Sequence, residues 1–260
     1  MLLKIAWRNI WRSRLRSLVV VGSIVLGIWA MIFGTGFMNG FIVSYMANAI
    51  NHEISNVQVH HPQFKKDQEV NYYIENGLAK ASEVRTWEGV SGVTTRTLVN
   101  GMISSPRKAA GVQILGIDLE NETIVTELNT LVNKGAYFEG ISRNPVLIGS
   151  KLAEELGVDI KSKVVLTFND ASGNITAAAF RVVGIIKSAS ISLSEGSAYV
   201  RQDDLNRLLG LSDQVHEIAI LTAEQVDDQT IVNKYKTAYD GDLVETWKEI
   251  APQLAYMQEM

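Results

Sequence analysis

The strongest constraint on this chain is a largely apolar run between Arg16 and Glu53 that contains no Asp, Glu, Lys or Arg. A helix that crosses a membrane needs about 20 mostly apolar residues, and residues 18–41 supply them. Basic residues favour the cytoplasmic end of a span, so we expect a cytoplasmic N-terminus and an extracytoplasmic chain beyond residue 51. The basic residues that precede the run are Lys4, Arg8, Arg12, Arg14 and Arg16.

A cleaved signal peptide is the alternative interpretation of this N-terminus. The apolar region of a signal peptide spans about 7 to 15 residues and leads to a small-residue cleavage site. The run here is longer and ends in Phe-Met-Asn-Gly-Phe at residues 37–41, so the sequence favours an anchor. As one helix, residues 17–51 would extend roughly 50 Å at about 1.5 Å per residue. A hydrocarbon core is about 30 Å thick, so we expect the helix to continue beyond the membrane as a stalk.

The segment before the anchor, residues 1–16, has a helical pattern of its own. Basic residues recur every fourth position on one face, and apolar residues such as Leu3 and Ile10 occupy another. This pattern predicts a cytoplasmic amphipathic helix on the inner leaflet, with tryptophans at headgroup level. A plain basic flank that continues the anchor is the alternative. The residues expected at the membrane surface are Lys4, Trp7, Arg8, Trp11 and Arg12.

Small side chains recur at a spacing of four along the anchor. Apolar burial does not drive helices together in lipid, so close backbone approach at small residues contributes much of their association. We therefore predict packing against other spanning helices, with the general abundance of glycine in membrane helices as the alternative. The predicted packing positions are Ser23, Gly27, Ala30, Gly34, Gly36 and Gly40. A separate aromatic stripe, which could contact acyl chains or ordinary lipid, consists of Phe33, Phe37, Phe41 and Tyr45.

The charge of the chain is divided unevenly. Residues 1–51 hold five of the 24 basic residues and none of the 28 acidic residues, which leaves the rest with 19 basic and 28 acidic residues and nine net negative charges. An acidic domain argues against nucleic acid as a partner. The chain has no cysteine, which excludes disulfides, thiolate metal sites and cysteine nucleophiles.

A search for catalytic motifs finds no enzyme signature. No Gly-x-x-x-x-Gly-Lys-Ser/Thr motif is present, so the chain has no P-loop for ATP. Residues 105–108 match Ser-x-x-Lys, but the companion motifs of the acyl-enzyme families are missing. His60 and His61 are adjacent in a predicted strand and face opposite sides, so they do not readily share one ion. We expect no enzyme activity, no cofactor and no metal site.

Beyond residue 51 the pattern predicts an α+β fold. Alternating apolar residues predict a strand at 54–60, a helix is expected at 76–88, and two strands follow at 93–104 and 110–118. Pro106 supplies the turn between the last two.

A different pattern begins near residue 140. It contains a strand at 146–149, a helix at 151–156 that ends at Gly157, and a hairpin formed by 164–168 and 178–186. We interpret this segment as a small β-rich insert. The first pattern then returns with a strand at 197–200, a helix at 202–209, a strand at 217–221, a helix at 230–239 and an apolar run at 243–247.

Five segments of the chain together resemble a known family. They are Trp-Arg-Asn-Ile at residues 7–10, the anchor, residues 54–64, residues 146–158 (Val-Leu-Ile-Gly-Ser-Lys-Leu-Ala, then Leu-Gly-Val), and Phe-Arg-Val-Val-Gly-Ile at residues 180–185. This set resembles the FtsX-like permeases of ABC transporters with a MacB-type periplasmic core domain. Within them it is most similar to the lipoprotein-releasing permeases of the LolC/LolE type.

The resemblance implies a domain organisation. Such permeases have four spanning helices and a porter-like α+β periplasmic unit, interrupted by a β-rich Sabre unit, between the first two. The chain would then be an N-terminal fragment of a permease or a truncated gene product. The implied divisions are the cytoplasmic helix 1–16, the transmembrane helix and stalk 17–51, the first porter-like part 52–139, the Sabre-like insert 140–193, the second porter-like part 194–246, and the start of a return helix 247–260.

The resemblance also implies a function. The chain would be part of a mechanotransmission-type permease in the bacterial inner membrane that releases lipoproteins toward the outer membrane. Its implied partners are a separate cytoplasmic ATPase subunit, a second permease that is a copy or a paralogue, membrane lipid, lipoproteins and a periplasmic carrier. The alternatives are a MacB-type exporter of peptides, toxins or drugs, and a single-pass anchored periplasmic sensor or adaptor.

Overall fold

The computed structural model describes residues 14–49, 54–140, 143–188, 190 and 192–259, and these form two units. One unit contains the apolar helix α1, Arg14–Ala49. Its segment Arg14–Ser44 has the length and composition of a membrane span, and its apolar side chains are exposed rather than packed into a protein core. The absence of proline and of charge after Arg16 explains why the helix is unbroken. The predicted amphipathic helix at residues 1–16 lies outside the described residues except for its last turn, which belongs to α1.

The second unit is an α+β domain built on one ten-stranded sheet, which confirms the predicted fold class. Its strands are β1 (Val57–His60), β2 (Val90–Ser104), β3 (Ala109–Ile117), β4 (Val132–Gly135), β5 (Pro145–Gly149), β6 (Lys163–Asn169), β7 (Ile175–Ile186), β8 (Ser197–Arg201), β9 (Glu217–Thr222) and β10 (Leu243–Thr246). Its helices are α2 (Phe64–Asp67), α3 (Gly77–Val84), α4 (Leu119–Val125), α5 (Ser150–Leu156), α6 (Gln202–Leu209), α7 (Asp228–Ala238), α8 (Trp247–Ile250) and α9 (Pro252–Glu259).

The strands follow the order β10-β1-β9-β2-β3-β8-β5-β7-β4, and β6 pairs with both β7 and β2. The pairs β3–β8 and β5–β7 are parallel, and the other pairs are antiparallel. Because β6 returns to β2, the strands β2, β3, β8, β5, β7 and β6 close into a ring. The long strand β2 therefore takes part in the open sheet through its first half and in the ring through its second half.

Close approach of β6 to β2 requires a glycine at the point of contact. A Cβ atom at Gly101 would meet the backbone oxygen of Thr167 and the side chain of Ile114. Gly101 and Phe168 are register partners, so the missing side chain lets the ring close.

Two hydrophobic cores lie on different parts of this sheet. The core within the ring is formed by residues such as Ile103, Leu166 and Phe180. The core of the open sheet packs α3 and α7 against β1 and β9, with Tyr235 among its largest fully buried side chains. A third cluster of buried residues includes Phe64 and Leu147. The strands of the predicted insert, β5, β6 and β7, hydrogen-bond to β8, β2 and β4 of the same sheet. The predicted domain divisions at residues 140 and 193 stay predictions.

Most of the predicted strands and helices are present with bounds shifted by a few residues. The helix at 202–209 has the predicted bounds, and the helix before Gly157 ends in a left-handed glycine as expected. The helix expected at 76–88 is shorter, because the chain turns after Val84 with the Trp87 N–H donating to the Val84 oxygen. The prediction missed α4 and β4, whose sequences Leu-Glu-Asn-Glu-Thr-Ile-Val and Val-Asn-Lys-Gly carry few apolar residues.

Candidate functional site

The two ends of the sheet-forming part of the chain lie side by side. β1 is the first strand and β10 is the last, and they are antiparallel neighbours in the sheet. Val57 at the start of β1 is the register partner of Thr246 at the end of β10. The backbone N–H of Trp247 donates to the oxygen of Asn56 at 2.8 Å, which extends this pairing by one step. We call residues 55–57 and 246–247 the entry–exit junction.

The entry side of the junction is held by side chains as well as by the sheet. Ser55 is buried and has a left-handed backbone with φ of 65°, which is uncommon for a residue other than glycine. Its Oγ donates to the oxygen of Ile220 on β9 at 2.6 Å. The Asn56 side-chain oxygen accepts from the backbone N–H of Thr222 at 3.2 Å. These bonds fix the turn that leads into β1 against a third strand.

The exit side is a direct transition from strand to helix. Thr246 ends β10 and also caps α8, because its backbone N–H donates to the Glu249 carboxylate at 2.8 Å in a capping box. Trp247, the first residue of α8, is buried. No loop therefore separates the last strand from the helix that follows it.

Charged side chains of β2, α4, β9 and β1 form a buried ionic cluster. The Arg96 guanidinium on β2 contacts the Glu122 carboxylate on α4 through Nε at 3.1 Å and Nη2 at 2.8 Å. Its Nη1 donates to Glu217 Oε1 on β9 at 2.6 Å. Glu217 Oε2 in turn lies 3.0 Å from His60 Nε2 on β1. One arginine thus connects β2 to α4 and β9, and the second oxygen of Glu217 connects β9 to β1.

Burial and pairing act in opposite directions on the charges of this cluster. Burial raises the pKa of Glu217, but the charge of Arg96 and the bond from His60 outweigh it, and the pKa lies below its usual value. Burial likewise opposes the charge on Arg96, yet the two carboxylates raise its pKa above its usual value. Both groups are therefore ionised at neutral pH, and the ion pairs persist in the folded domain.

Next to the cluster, His216 is buried in its neutral form. Burial lowers its pKa to about 4. The backbone N–H of Leu98 donates to His216 Nδ1 at 3.1 Å, so that nitrogen is the acceptor. Nε2 therefore carries the proton and donates to the Val70 oxygen at 2.9 Å.

The buried carboxylates of the cluster form their bonds within the domain. The carboxylate oxygens of Glu122 and Glu217 are used by Arg96, His60 and neighbouring threonines such as Thr126. Among the described residues no group of three or more His, Asp and Glu side chains could hold a metal ion. The cluster and the junction instead connect four strands of the open sheet, β10, β1, β9 and β2, and tie α4 to β2.

The residues predicted for membrane contact and helix packing lie on or before α1. At about 100° per residue, Ser23, Gly27, Ala30 and Gly34 fall within about 60° of one another, whereas Gly36 and Gly40 fall on a different face. Within the described residues α1 is the one helix with the character of a span, so its packing face stays a prediction. The membrane-surface residues Lys4, Trp7, Arg8, Trp11 and Arg12 lie outside the described residues.

Some rings of the aromatic stripe stack on one another along α1. Phe33 stacks on Phe37 with ring centres 6.2 Å apart and on Trp29 at 5.3 Å. Phe41 is exposed on the same helix, and the side chain of Tyr45 lies outside the described set. The contact of this stripe with acyl chains stays a prediction.

Comparison with known proteins identifies the family. A family model described as the MacB-like periplasmic core domain matches residues 17–238. The chain belongs to this family. No curated protein matches it.

Solved structures of low sequence identity share the fold. The periplasmic region of MacB from Actinobacillus actinomycetemcomitans has 12% identity and a TM-score of 0.54, and the match covers 80% of this chain and 96% of that one. The extracellular domain of the noncanonic ABC-type transporter YknZ from Gram-positive bacteria has 13% identity and a TM-score of 0.50, with 74% and 99% covered.

The family fixes the general class of this protein. Its folded part is the periplasmic domain of a MacB-like, FtsX-like ABC transporter permease, a class of domain that is generally not enzymatic. Together with α1, this makes the chain a membrane-anchored protein with a domain of an extracytoplasmic type.

Sequence reasoning missed the ionic cluster of this MacB-like domain. One signal was present, because the run Thr-Thr-Arg-Thr at residues 94–97 interrupts an apolar strand with a charge. Glu217 likewise begins β9 where an apolar residue would be expected. A charge in the middle of a buried strand requires a partner. The sequence does not say that the partners are Glu122 and Glu217, because they lie 26 and 121 positions away.

Proposed function

We propose that this chain is the N-terminal portion of a permease subunit in an ABC transporter of the mechanotransmission type, one that releases lipoproteins from the inner membrane. The observation that carries the proposal is the match of residues 17–238 to the MacB-like periplasmic core domain family, a match that takes in both the apolar helix and the folded domain. In this proposal ATP is hydrolysed by a separate cytoplasmic ATPase subunit.

The entry–exit junction supports a mechanical role. A displacement delivered to the chain before residue 55 reaches β1, which is hydrogen-bonded to β10 on one side and to β9 on the other. Backbone ladders and the bonds of Ser55 and Asn56 pass the displacement to β9. The buried contacts of Glu217 pass it from β9 to Arg96 on β2. The second half of β2 belongs to the ring, so the displacement would reach both the open sheet and the ring.

The proposed topology places residues 1–16 in the cytoplasm and residues 52–260 in the periplasm of a bacterium. Five basic residues before the apolar run oppose the reverse orientation. A reporter that is active only in the periplasm, fused at Met260, should therefore be active. Activity of a cytoplasmic reporter at the same position would exclude this topology.

The proposed partners follow from the same arrangement. The small residues of α1 are exposed and offer close approach to the spanning helices of a second permease, either a copy or a paralogue. The stripe of Phe33, Phe37, Phe41 and Tyr45 would face membrane lipid and the acyl chains of a lipoprotein that enters sideways. A periplasmic carrier would then receive the released lipoprotein.

The decisive experiment depletes the full-length protein in its host and follows newly made lipoproteins by membrane fractionation. Lipoprotein release predicts that they accumulate in the inner membrane. Normal delivery to the outer membrane, with no compensating paralogue present, would replace the proposal by export of peptides, toxins or drugs. Purification of the full-length protein without any ATPase partner would instead favour an anchored sensor or adaptor.

A further inference from the structure

A large groove on the ring side of the domain concentrates positive charge. Its volume is about 1130 Å³, and it lies between the hairpin β6–β7 and helix α6. The charged side chains that line it are Arg143, Lys161, Lys163, Arg181, Arg201, Arg207 and Asp204. We call this cavity the basic groove.

The charge of the basic groove is opposite to that of the domain around it. Six basic side chains and one acidic side chain line the groove. The chain beyond residue 51, by contrast, has 19 basic and 28 acidic residues. Nearly a third of those basic residues therefore line one groove and give it a local positive potential.

The sheet keeps two of these cations together at a cost in stability. Lys163 and Arg181 are register partners on the antiparallel strands β6 and β7. Like charges that lie directly opposite each other across such a pair are destabilising. The Arg181 guanidinium also donates to the backbone oxygen of Lys161 at 2.9 Å, which fixes its position on the groove wall. Folding alone does not require this arrangement, so it indicates a ligand of negative charge.

The acidic residue of the groove orients cations without neutralising the site. Asp204 accepts from Arg201 Nε at 2.7 Å and from Arg207 Nη2 at 2.9 Å. One carboxylate thus accepts from two guanidinium groups and orients both. The lining retains five net positive charges.

We propose that the basic groove binds a ligand that carries phosphate groups. Guanidinium groups present planar forks of donors that match phosphate oxygens, and four of the six cations are arginines. Five net positive charges in one cavity require a ligand of dense negative charge, and a phosphate group carries up to two charges where a carboxylate carries one. The volume of the groove, about 1130 Å³, leaves room for such a ligand. The inference does not depend on the substrate of the transporter.

The test uses the full chain in a neutral detergent with inorganic tripolyphosphate as the probe, measured by calorimetry. The variant Lys163→Gln/Arg181→Gln removes two groove charges. The matched control Lys108→Gln/Lys236→Gln removes two exposed charges that do not line the groove. We expect the groove variant to raise the Kd about tenfold or more, since charge-assisted bonds are lost, and the control to change it less than about twofold.

Three further measurements make the result decisive. If the strand variant Lys163→Gln/Arg181→Gln fails to fold, Arg207→Gln takes its place, because Arg207 is an exposed side chain of α6. This variant should also raise the Kd for tripolyphosphate. Dihexanoyl phosphatidic acid below its micelle concentration tests a lipid headgroup against free phosphate, and tighter binding of either one identifies the source. Hexaglutamate tests a carboxylate-rich protein segment. Tighter binding of hexaglutamate than of tripolyphosphate, equal losses in the two double variants, or no binding at millimolar tripolyphosphate would each overturn the proposal.

Discussion

Arg96 on β2 and Glu217 on β9 are register partners, and their side chains form an ion pair at 2.6 Å inside the domain. His60 on β1 is the register partner of Glu217 on its other side. The carboxylate of Glu217 therefore lies between two neighbouring strands and bonds to both. Because β1 is also the strand by which the chain enters the domain, this contact links the entry–exit junction to the rest of the sheet.

Replacement of Arg96 by Met should strongly destabilise the domain. It leaves the carboxylates of Glu122 and Glu217 buried without their cation, and removal of one partner of a buried ion pair costs about 3–5 kcal/mol. Urea unfolding of the full chain in neutral detergent, followed by tryptophan fluorescence, measures the loss. The control is Lys151→Met, which breaks the exposed pair with Glu195 and should cost less than about 1 kcal/mol. Equal losses in the two variants would show that the buried cluster adds no special stability.

Stability should fall as the pH decreases below about 6.5, because His216 is buried in its neutral form. Its folded pKa is about 4, against an ordinary value of 6.5. The unfolded chain therefore binds the proton first, and the stabilisation is present above pH 6.5 and lost progressively toward pH 4. The full difference is on the order of 3 kcal/mol at about 1.4 kcal/mol per pKa unit. Urea unfolding between pH 7.5 and pH 5 measures the slope.

Two histidine variants test whether His216 causes this pH dependence of stability. His216→Gln should remove most of it between pH 6.5 and pH 5. His61→Gln should keep it, because His61 is only half-buried and stacks on the partly buried Tyr72. The window above pH 5 avoids Glu217, whose lowered pKa places its contribution at more acidic values. An unchanged slope in His216→Gln would assign the pH dependence to another group.

Gly149→Ala should destabilise the domain although its backbone conformation suits alanine. Gly149 has φ of −69°, but a Cβ there would collide with the backbone oxygens of Leu193 and Ser194. Backbone cannot move aside as a side chain does, so we expect a loss of about 1–3 kcal/mol. Gly111→Ala is the control, because nothing lies within 4 Å of its Cβ position. Thermal unfolding should show a lower midpoint for the first variant and no decrease for the second.

Gly27→Leu with Gly34→Leu should disrupt assembly of the full-length permease and leave the folded domain intact. Both positions lie on the same face of α1, where bulky side chains prevent close backbone approach. Co-purification with the second permease subunit measures assembly, and circular dichroism measures folding. The control enlarges Ile28 to Phe and Thr35 to Leu, at least about 80° away around the helix. Normal assembly in the double leucine variant would show that this face does not pack.

Local patterns in the sequence determined the anchor and most of the strands and helices. A long run without charge specifies an unbroken apolar helix because lipid accepts no unpaired charge there. Alternation along β9 and the glycine after α5 specify a strand and a helix end, because both signals act over a few neighbouring residues. The α+β class follows from the order of these elements. Short polar segments such as β4 carry too weak a pattern, so their form depends on the strands beside them.

Only the tertiary structure decided which distant residues meet. The ring closes because β6 pairs with β2, about 60 positions earlier in the chain, and no local pattern specifies that contact. Arg96 finds Glu217 across 121 positions, and Lys163 faces Arg181 because of the register of a hairpin. A sequence shows how many charges a chain carries. Strand register decides where those charges cancel, as in the buried cluster, and where they accumulate, as in the basic groove. A shift of one residue in register would turn each side chain to the opposite face of the sheet.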